Sequence, residues 1–332
     1  MSTILICNNY GQSYDGIGDY SKKIYGDIIE KVFTSNTKVD SKFDRLFDLG
    51  MTKAIIKAAC YAYCSADESI IIEYPFVEWN PLICVSISIL KFVCIATDKK
   101  LFVTIHEYNR VNFLRKITII FFTLIANAVL VTEKSNFDSL RRLNSKIYKI
   151  EIPSNIEFSQ KIKSKKRNQF IFFGMVNKAK AFQEMLEGWD LFNETSDYKL
   201  VIVTASKLKE VTSHKNIEYL YNVEDNIVAK KLLESTYAIL PIIPNVDEKN
   251  ATYKAACLAG CIPIGIFCEE YRKLDFVVSM EKYTKDEFCK KFKEAIATDK
   301  DDVRYIQNYA EKFSLKKAKD KMKCILKGEV ND

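Results

Sequence analysis

The sequence predicts an α/β protein with two doubly wound parallel-sheet domains, and three observations lead to this fold class. Strand-like apolar runs alternate with helix-like segments along most of the 332 residues, which is typical of parallel sheets covered by helices. The alternation stops over Pro153–Asn168 and restarts at Gln169, so each half has the size of an ordinary domain. Finally, Tyr237–Gly265 reads as strand, polar loop, helix and second strand, and loops of this kind bind ligands in open α/β sheets.

The predicted first domain, residues 1–155, begins with a short apolar strand and continues as alternating helices and strands. β-Branched and aromatic runs favour the strands, and apolar residues three and four apart favour the helices. We predict strands at Thr3–Ile6, Phe43–Leu49, Ser69–Glu73, Leu101–Ile105, Ala128–Val131 and Ile147–Ile152. We predict helices at Tyr20–Val32, Lys53–Cys64, Leu82–Ile95, Val111–Ala126 and Ser135–Leu143.

The segment Pro153–Asn168 has little apolar content and a cluster of basic residues. These residues are Lys161, Lys163, Lys165, Lys166 and Arg167. Such a segment is typical of an exposed linker, and contact with acidic lipid headgroups is the alternative function for its cations.

The predicted second domain, residues 156–311, repeats the alternation, and a C-terminal helical segment, residues 312–332, follows it. We predict strands at Phe170–Phe173, Lys199–Val203, Ile217–Leu220, Ala238–Ile243 and Cys261–Ile266. We predict helices at Ala181–Phe192, Ile227–Ser235, Ala251–Ala259, Thr284–Ala297, Val303–Phe313 and Leu315–Leu326.

Composition narrows the class of protein. The net charge of +7 suits anionic ligands or an anionic membrane surface and does not by itself indicate nucleic-acid binding. The ten cysteines form no Cys-x-x-Cys pair and are accompanied by only two histidines, His106 and His214. We therefore expect buried, reduced thiols in a cytosolic protein, and the N-terminal residues show no secretion signal.

The most apolar stretch, Ile117–Thr132, is too short to cross a bilayer, which takes ~20 residues. Asn127 also divides it into a helical and a strand-like part, so we predict no transmembrane helix. The helix Val111–Ala126, with Arg110, Arg115 and Lys116, suits either a buried core or a contact with one membrane face.

Two glycines, Gly16 and Gly18, follow the first strand and precede a helix, where backbone N–H groups can point at a phosphate. Ser21 stands where a dinucleotide fingerprint has its third glycine, so a dehydrogenase is not indicated. An anion-binding loop and a structural turn both stay open.

Other candidates come from side chains near predicted strand ends. His106 follows a buried strand at the carboxyl edge of the sheet, where ligands bind, although a structural histidine is the alternative. Lys178 and Lys180 follow Gly174 at the start of a helix. A cation there can hold a diphosphate, and a solvated lysine is the alternative. The only Asp-x-Asp, Asp299-Lys300-Asp301, lies between two helices, which favours a capping turn over a metal site.

Taken in order, several segments resemble a family-4 glycosyltransferase with the GT-B fold, over nearly the whole chain. The similar segments are GIGDYSKKI, IIIEYP, VTIHEY, FFGMVNKAKAFQEMLEGWDLF, LPIIPNVDEKNATYKAACLAGCIPIG and EKFSLKKAKDKMKCIL. The resemblance implies two facing Rossmann-like domains with the active site in the cleft, and a last helix that crosses back to the first domain.

The resemblance also implies roles for individual residues. Those that would stabilise the leaving diphosphate are Lys180, Lys249, Thr252 and the helix beginning near Asn250. In the first domain, Gly16 and Gly18 would close over the diphosphate, and His106 would orient the donor sugar. Asp247 would contact the hydroxyls of the sugar.

The chain departs from the family pattern at two places. Asn177 replaces the usual arginine. Where many members of the family have two glutamates, this chain has Asp247 at the first position and Ala255 at the second. The loop is closer to a subgroup with Ser-x-Arg-Arg-Gly-Ser, onto which Asp247, Lys249, Asn250, Ala251 and Thr252 fall.

The expected function is that of a cytosolic hexosyltransferase, peripheral at the inner membrane face. It would move a sugar from a nucleotide-diphosphate sugar to a glycan or lipid-linked glycan in surface polysaccharide synthesis, with retention and without cofactor, metal or nucleic acid. One alternative is a sugar-nucleotide epimerase on the same fold, which would need more carboxylates at the strand ends. The other is a degenerate, non-catalytic GT-B module, which the missing arginine and glutamate favour.

Overall fold

The computed structural model describes residues 2–11, 16–35, 50–77, 79–158, 165–208, 215–297 and 303–329. The chain divides into two compact units, a first unit of Met1–Ile152 with Ala318–Asp332, and a second unit of Pro153–Lys317. The predicted strand Phe43–Leu49, His214 and the Asp299-Lys300-Asp301 turn lie outside the described residues.

The first unit contains a parallel sheet with the order β2-β1-β3-β4-β5-β6 among its described strands. Its strands are β1 (Thr3–Ile6), β2 (Ile29–Phe33), β3 (Ser69–Tyr74), β4 (Lys100–Ile105), β5 (Ala128–Val131) and β6 (Ile147–Lys149). Its helices are α1 (Gly16–Tyr25), α2 (Gly50–Cys64), α3 (Leu82–Ala96), α4 (Phe113–Ile125) and α5 (Lys134–Leu140). Every residue of β3 is buried, because helices cover the faces of a parallel sheet.

The second unit contains a parallel sheet with the order β12-β11-β10-β7-β8-β9. Its strands are β7 (Lys166–Phe173), β8 (Lys199–Thr204), β9 (Ile217–Tyr221), β10 (Ser235–Leu240), β11 (Ile262–Gly265) and β12 (Val278–Ser279). Its helices are α6 (Phe182–Asn193), α7 (Asp225–Glu234), α8 (Ala251–Leu258), α9 (Glu269–Arg272), α10 (Lys285–Ala297) and α11 (Val303–Ala310). A 3₁₀ turn, Glu311–Phe313, follows.

The last helix, α12 (Leu315–Lys327), spans the boundary between the units, and its larger part belongs to the first unit. Met322, Ile325 and Leu326 are its buried residues. Lys319 Nζ lies 2.7 Å from Asp27 Oδ2 in the loop after α1. An apolar face and an ion pair therefore hold the end of the chain to the first unit.

The predicted helix over Tyr20–Val32 is wrong in its second half. The helix ends at Tyr25, and Ile29–Phe33 forms the edge strand β2, paired with β1. Gly26 lies just beyond the helix end, and glycine is a poor helix former. The β-branched residues that follow suit a strand, although their spacing also fits a helix.

The prediction of an exposed linker over Pro153–Asn168 is also wrong where the structure describes it. Its buried residues include Pro153, Ser154 and Ile156. Strand β7 already begins at Lys166. The ammonium of Lys165 donates to the carbonyl of Ser235 at 2.6 Å, so this cation ties β7 to the end of α7 and is not a solvated surface charge.

Two smaller corrections concern β10 and the cysteines. Strand β10 begins earlier than the predicted Ala238–Ile243, at Ser235, and ends earlier, at Leu240, because the next residue, Pro241, has no N–H to donate to a ladder. All ten thiols are free, but only four are buried: Cys60 and Cys64 are exposed, and the other four are half-buried, namely Cys84, Cys268, Cys289 and Cys324. Cys60 and Cys64 lie on the outer side of α2, one helical turn apart. Among the described residues, no helix is long and apolar enough to cross a membrane.

Candidate functional site

The candidate site of the second unit lies where the strand order reverses. The chain runs outward from β7 to β9 and then returns to β10 on the other side of β7, and open α/β sheets bind ligands at this point. The loops that leave these two strands pair with each other. The N–H of Ala181 donates to Pro241 O, and the N–H of Ile243 donates to Ala179 O, both at 2.9 Å. This pairing places Lys180 at the reversal point.

Lys180 carries a desolvated ammonium that pairs with no carboxylate among the described residues. Its Nζ lies 4.9 Å from the ring centroid of Phe172. Burial lowers the pKa of Lys180 to about 8, and no other cause contributes to the change. Burying an unpaired cation costs free energy, and an anionic ligand beside it would offset that cost.

Gly174 provides the space for this ammonium. Its φ of +123° is a conformation that residues with a β-carbon rarely adopt. A β-carbon at this position would lie 2.8 Å from Lys180 Nζ and 3.7 Å from Thr252 Oγ1. The ammonium and the hydroxyl therefore converge beside the backbone of Gly174.

Thr252 belongs to the first turn of α8, and this helix has no side-chain cap. Asn250 is at the N-cap position, but its Oδ1 accepts from the N–H of Asp247 at 2.5 Å. Asp247 Oδ1 accepts in turn from the N–H of Lys249 at 2.9 Å. The first turn contains no acidic residue, so its backbone N–H groups are available to an anion.

The structure therefore gives the predicted loop residues different tasks. Asp247 and Asn250 shape the loop through hydrogen bonds to its backbone. Thr252 and the ammonium of Lys180 converge at the N-terminus of α8. The side chain of Lys249 is half-buried, and its phosphate contact stays a prediction. One ammonium together with the positive end of a helix dipole suits a diphosphate better than a neutral ligand.

Sequence reasoning missed Lys254, a fully buried lysine of α8 at 0 % exposure. Its Nζ donates to the carbonyl of Glu248 at 2.5 Å and lies 5.2 Å from the ring centroid of Phe313. Lys254 therefore ties the loop before α8 to the helix itself. The signal in the sequence was a single lysine within the otherwise apolar run after Thr252, which indicates a buried cation.

The departures from the family pattern have clear positions. The side chain of Asn177 accepts from the N–H of Ala179 at 3.0 Å, and its carbonyl accepts from the N–H of Lys180 at 3.1 Å, so it shapes the turn before the lysine. Lys178 is exposed. Ala255 is fully buried in a core cluster with Ile171, so no polar group at this position is offered to a ligand.

The first unit has its own strand reversal, between β1 and β3. His106, just after the neighbouring β4, is 7 % exposed, and its Nε2 lies 2.6 Å from Oε2 of Glu73. Glu73, on β3, is fully buried, and its other oxygen has no hydrogen-bond partner among the described residues. The sequence placed His106 at this edge, but it did not single out Glu73.

Helix α1 lies against this pair. The ring of Tyr20 packs edge-on against His106, with centroids 5.2 Å apart. Burial, followed by the negative charge of Glu73, raises the pKa of Tyr20 and of Tyr25 well above the usual value, so both phenols stay protonated. The first helix thus encloses the carboxylate and the imidazole.

Gly18 is needed for packing within this unit. A β-carbon there would lie 2.8 Å from the carbonyl oxygen of Asn9, and the N–H of Gly11 donates to Gly18 O at 2.9 Å. Gly16 begins α1. A contact of Gly16 or Gly18 with a phosphate stays a prediction. Among the described residues, no three His, Cys, Asp or Glu side chains are placed to hold a metal ion.

Comparison with known proteins identifies the fold. No protein-family model and no curated protein matches the sequence. A glycosyltransferase from Rickettsia africae ESF-5 is similar in structure, with a TM-score of 0.65, 15% identity and coverage of 100% of this chain and 99% of that one. Anabaena Alr3699/HepE in complex with UDP has a TM-score of 0.65 and 9% identity, over 99% and 100% of the two chains.

The lipopolysaccharide outer core galactosyltransferase WaaB, in its apo form, has a TM-score of 0.64 and 13% identity, over 99% of this chain and 100% of that one. Identities this low show the fold alone, and membership of family 4 stays a prediction. The two six-stranded parallel sheets with their helices confirm the predicted fold class: the chain has the GT-B fold of these glycosyltransferases.

Proposed function

We propose that the chain is a glycosyltransferase of the hexosyltransferase type that uses a nucleotide-diphosphate sugar as donor. The observation that supports this proposal is the unpaired, desolvated ammonium of Lys180. It lies beside Thr252, which belongs to the first turn of α8, and that turn has no side-chain cap. When the bond between the sugar and the diphosphate breaks, negative charge develops on the leaving phosphate. Fixed positive charge and N–H groups already in place stabilise that charge without reorganisation.

The same residues support a reaction without an essential metal, because the ammonium and the helix N-terminus supply the positive charge at the diphosphate. UDP is the first nucleotide to test, since one similar structure contains it. His106 would orient the donor sugar, with its ring held by Glu73. Retention of the anomeric configuration is part of the proposal and rests on the resemblance to family 4.

The proposed acceptor is a glycan or a lipid-linked glycan of a surface polysaccharide, at the inner face of the membrane. Similarity to a galactosyltransferase of the lipopolysaccharide outer core supports a glycan acceptor. No nucleic-acid partner is proposed. Anomeric NMR of the product with a lipid-linked acceptor would test both acceptor and stereochemistry, and turnover in the presence of EDTA would test the independence from metal.

The donor site is tested by binding, which needs no knowledge of the acceptor. Thermal shifts with UDP, GDP, ADP, CMP and dTDP would identify the nucleotide, because a ligand of the folded state raises stability. We expect calorimetric affinity to fall in the order nucleoside diphosphate, monophosphate, nucleoside. Lys180→Met should weaken diphosphate binding by at least ~10-fold, as expected for a lost charge-assisted contact.

Lys178→Met is the matched control, because Lys178 lies two residues away and is exposed. Equal losses in the two variants would overturn the assignment of Lys180. No thermal shift with any of the five nucleotides would favour the degenerate, non-catalytic module.

A sugar-nucleotide epimerase is the second candidate. The buried pair of Glu73 and His106 is the observation that favours it. This pair supplies a carboxylate and an imidazole at one strand edge, where the sequence shows few acidic residues. Incubation with a nucleotide sugar in the absence of acceptor separates the two functions. Conversion of the sugar to its epimer would support the epimerase, whereas an unchanged donor would exclude it.

A further inference from the structure

Helices α3 and α4 of the first unit each expose a stripe of large apolar side chains. The stripe of α3 consists of Leu82, Val85, Ile89, Phe92 and Ile95. The stripe of α4 consists of Phe113, Leu114, Ile117 and Leu124. Phe92 is 72% exposed and Phe113 is 74% exposed. Each helix also packs its opposite side into the core, through residues such as Ile87 and Ile119, so both of its faces are apolar.

The two stripes lie side by side. Cys84 Sγ of α3 lies 3.9 Å from Thr118 Oγ1 of α4. Nearer the other end, Lys91 Nζ donates to Asn127 Oδ1 at 2.9 Å, just beyond the end of α4. The helices therefore run parallel and adjacent, and we call their combined exposed side the α3–α4 face. Contiguous patches of exposed large apolar side chains mark interaction sites.

The charges on and around the α3–α4 face are mostly basic. The two helices contain Lys91, Arg115 and Lys116 and no acidic residue. Exposed basic residues also lie near the C-terminal end of α4, namely Arg141, Arg142 and Lys146. Asn144 holds that segment to α4, since its Nδ2 donates to Thr123 O at 2.8 Å. Asp98, Glu107 and Asp138 are acidic residues of the adjoining segments, and the six basic residues named above outnumber them.

We propose that the α3–α4 face binds the surface of an anionic lipid bilayer. Its apolar side chains would enter the boundary between headgroups and acyl chains, and its basic residues would meet anionic headgroups. The helices have 15 and 13 residues, and a helix needs ~20 residues to cross a bilayer. The contact is therefore with one face of the membrane only. This proposal does not depend on glycosyl transfer.

The charge pattern favours lipid over a second copy of the chain. A symmetric dimer would bring the same surface of two copies together. The basic residues around the face would then meet one another, and like charges at an interface oppose association. Anionic headgroups instead complement them.

Flotation with phosphatidylcholine vesicles, with and without phosphatidylglycerol, tests the proposal. We expect the protein to float with the anionic vesicles, less so with neutral vesicles, and less at high salt. Phe92→Ser and Phe113→Ser should each weaken binding by at least ~10-fold, because each removes a large inserted side chain. Tyr63→Ser is the matched control, since Tyr63 is 66% exposed on α2.

Three results would overturn the proposal: no flotation with anionic vesicles, equal flotation of all variants, or a dimer in sedimentation equilibrium that Phe92→Ser dissociates. The last result would identify a second copy as the occupant. Circular dichroism and urea unfolding of the same samples show whether each variant is folded, and nucleotide binding reports on the second unit. It also separates failure of this proposal from failure of the donor site.

Discussion

The ammonium of Lys180 lies beside Gly174 in space that a β-carbon would obstruct, with 2.8 Å between Nζ and the position of that carbon. The loop that carries Lys180 is paired with the loop after β10. The position of the ammonium therefore depends on the backbone conformation of Gly174 and of these two loops. A change in either the ammonium or this backbone should affect ligand binding.

Gly174→Ala should lower both stability and nucleotide affinity. The φ of +123° becomes strained with a β-carbon, which costs ~1–3 kcal/mol of unfolding free energy. The new carbon would also displace the ammonium. Urea unfolding and UDP calorimetry measure the two effects.

Gly328→Ala is the control for Gly174→Ala, because Gly328 also has a positive φ, +79°, but beyond its chain neighbours no atom of the described residues is found within 4 Å of its added β-carbon. It should lower stability and leave UDP affinity unchanged. If Gly174→Ala binds UDP as well as Gly328→Ala does, the space beside Gly174 has no role in binding.

Nucleotide affinity should decrease as pH rises above about 8, the pKa to which burial lowers Lys180. Of the two protonation states of Lys180, only the ammonium attracts the diphosphate, so affinity should fall by up to ~10-fold per pH unit until the pKa of the bound state is reached. Calorimetry over pH ~7 to ~9.5 measures the decrease. Lys180→Met should bind weakly at every pH and lack this dependence.

The stability of the free protein should change in the opposite direction. The pKa of Lys180 is about 8 in the folded state and 10.5 in the reference state, so the unfolded chain binds more protons between these values. Stability therefore gains up to ~3 kcal/mol from this residue as pH rises through that window. Urea unfolding of Lys180→Met should show a smaller gain over the same window, and an equal gain would contradict the buried ammonium.

Removal of either member of the Glu73–His106 pair should destabilise the first unit. Glu73 is fully buried and hydrogen-bonded to His106 at 2.6 Å, and a buried polar group that loses its partner costs ~1–3 kcal/mol. The double variant Glu73→Ala with His106→Ala should cost less than the two single changes together, by ~0.5–3 kcal/mol. Strict additivity in urea unfolding would show that the two side chains are not coupled.

Lys254→Met should loosen the loop before α8 while leaving the charge of Lys180 in place. The variant loses the hydrogen bond from Nζ to Glu248 O, and the loss of this buried charge-assisted bond should cost ~1–3 kcal/mol. UDP affinity should fall, but its decrease above pH 8 should persist because Lys180 is intact. Lys230→Met, at an exposed position of α7, should change neither. A loss of the pH dependence in Lys254→Met would mean that the two lysines act together.

Much of the fold was predictable from local pattern. Strands β1 and β5 have the predicted bounds, since a short apolar run between polar turns admits few other structures. Ile29–Phe33 shows where pattern fails, because its apolar spacing fits both a helix and an edge strand. Pairing with β1 decided between them.

The sequence by itself determined the two α/β units, the loop before α8 and the location of His106 at a strand edge. These follow from periodicity and from helix and strand signals, which are local along the chain. Only the tertiary structure decided which side chains meet. It brought Lys180 and Thr252 together beside Gly174, paired Glu73 with His106 and buried Ala255 and Lys254. Those relationships depend on strand order and on desolvation, which arise when segments distant in sequence pack against each other.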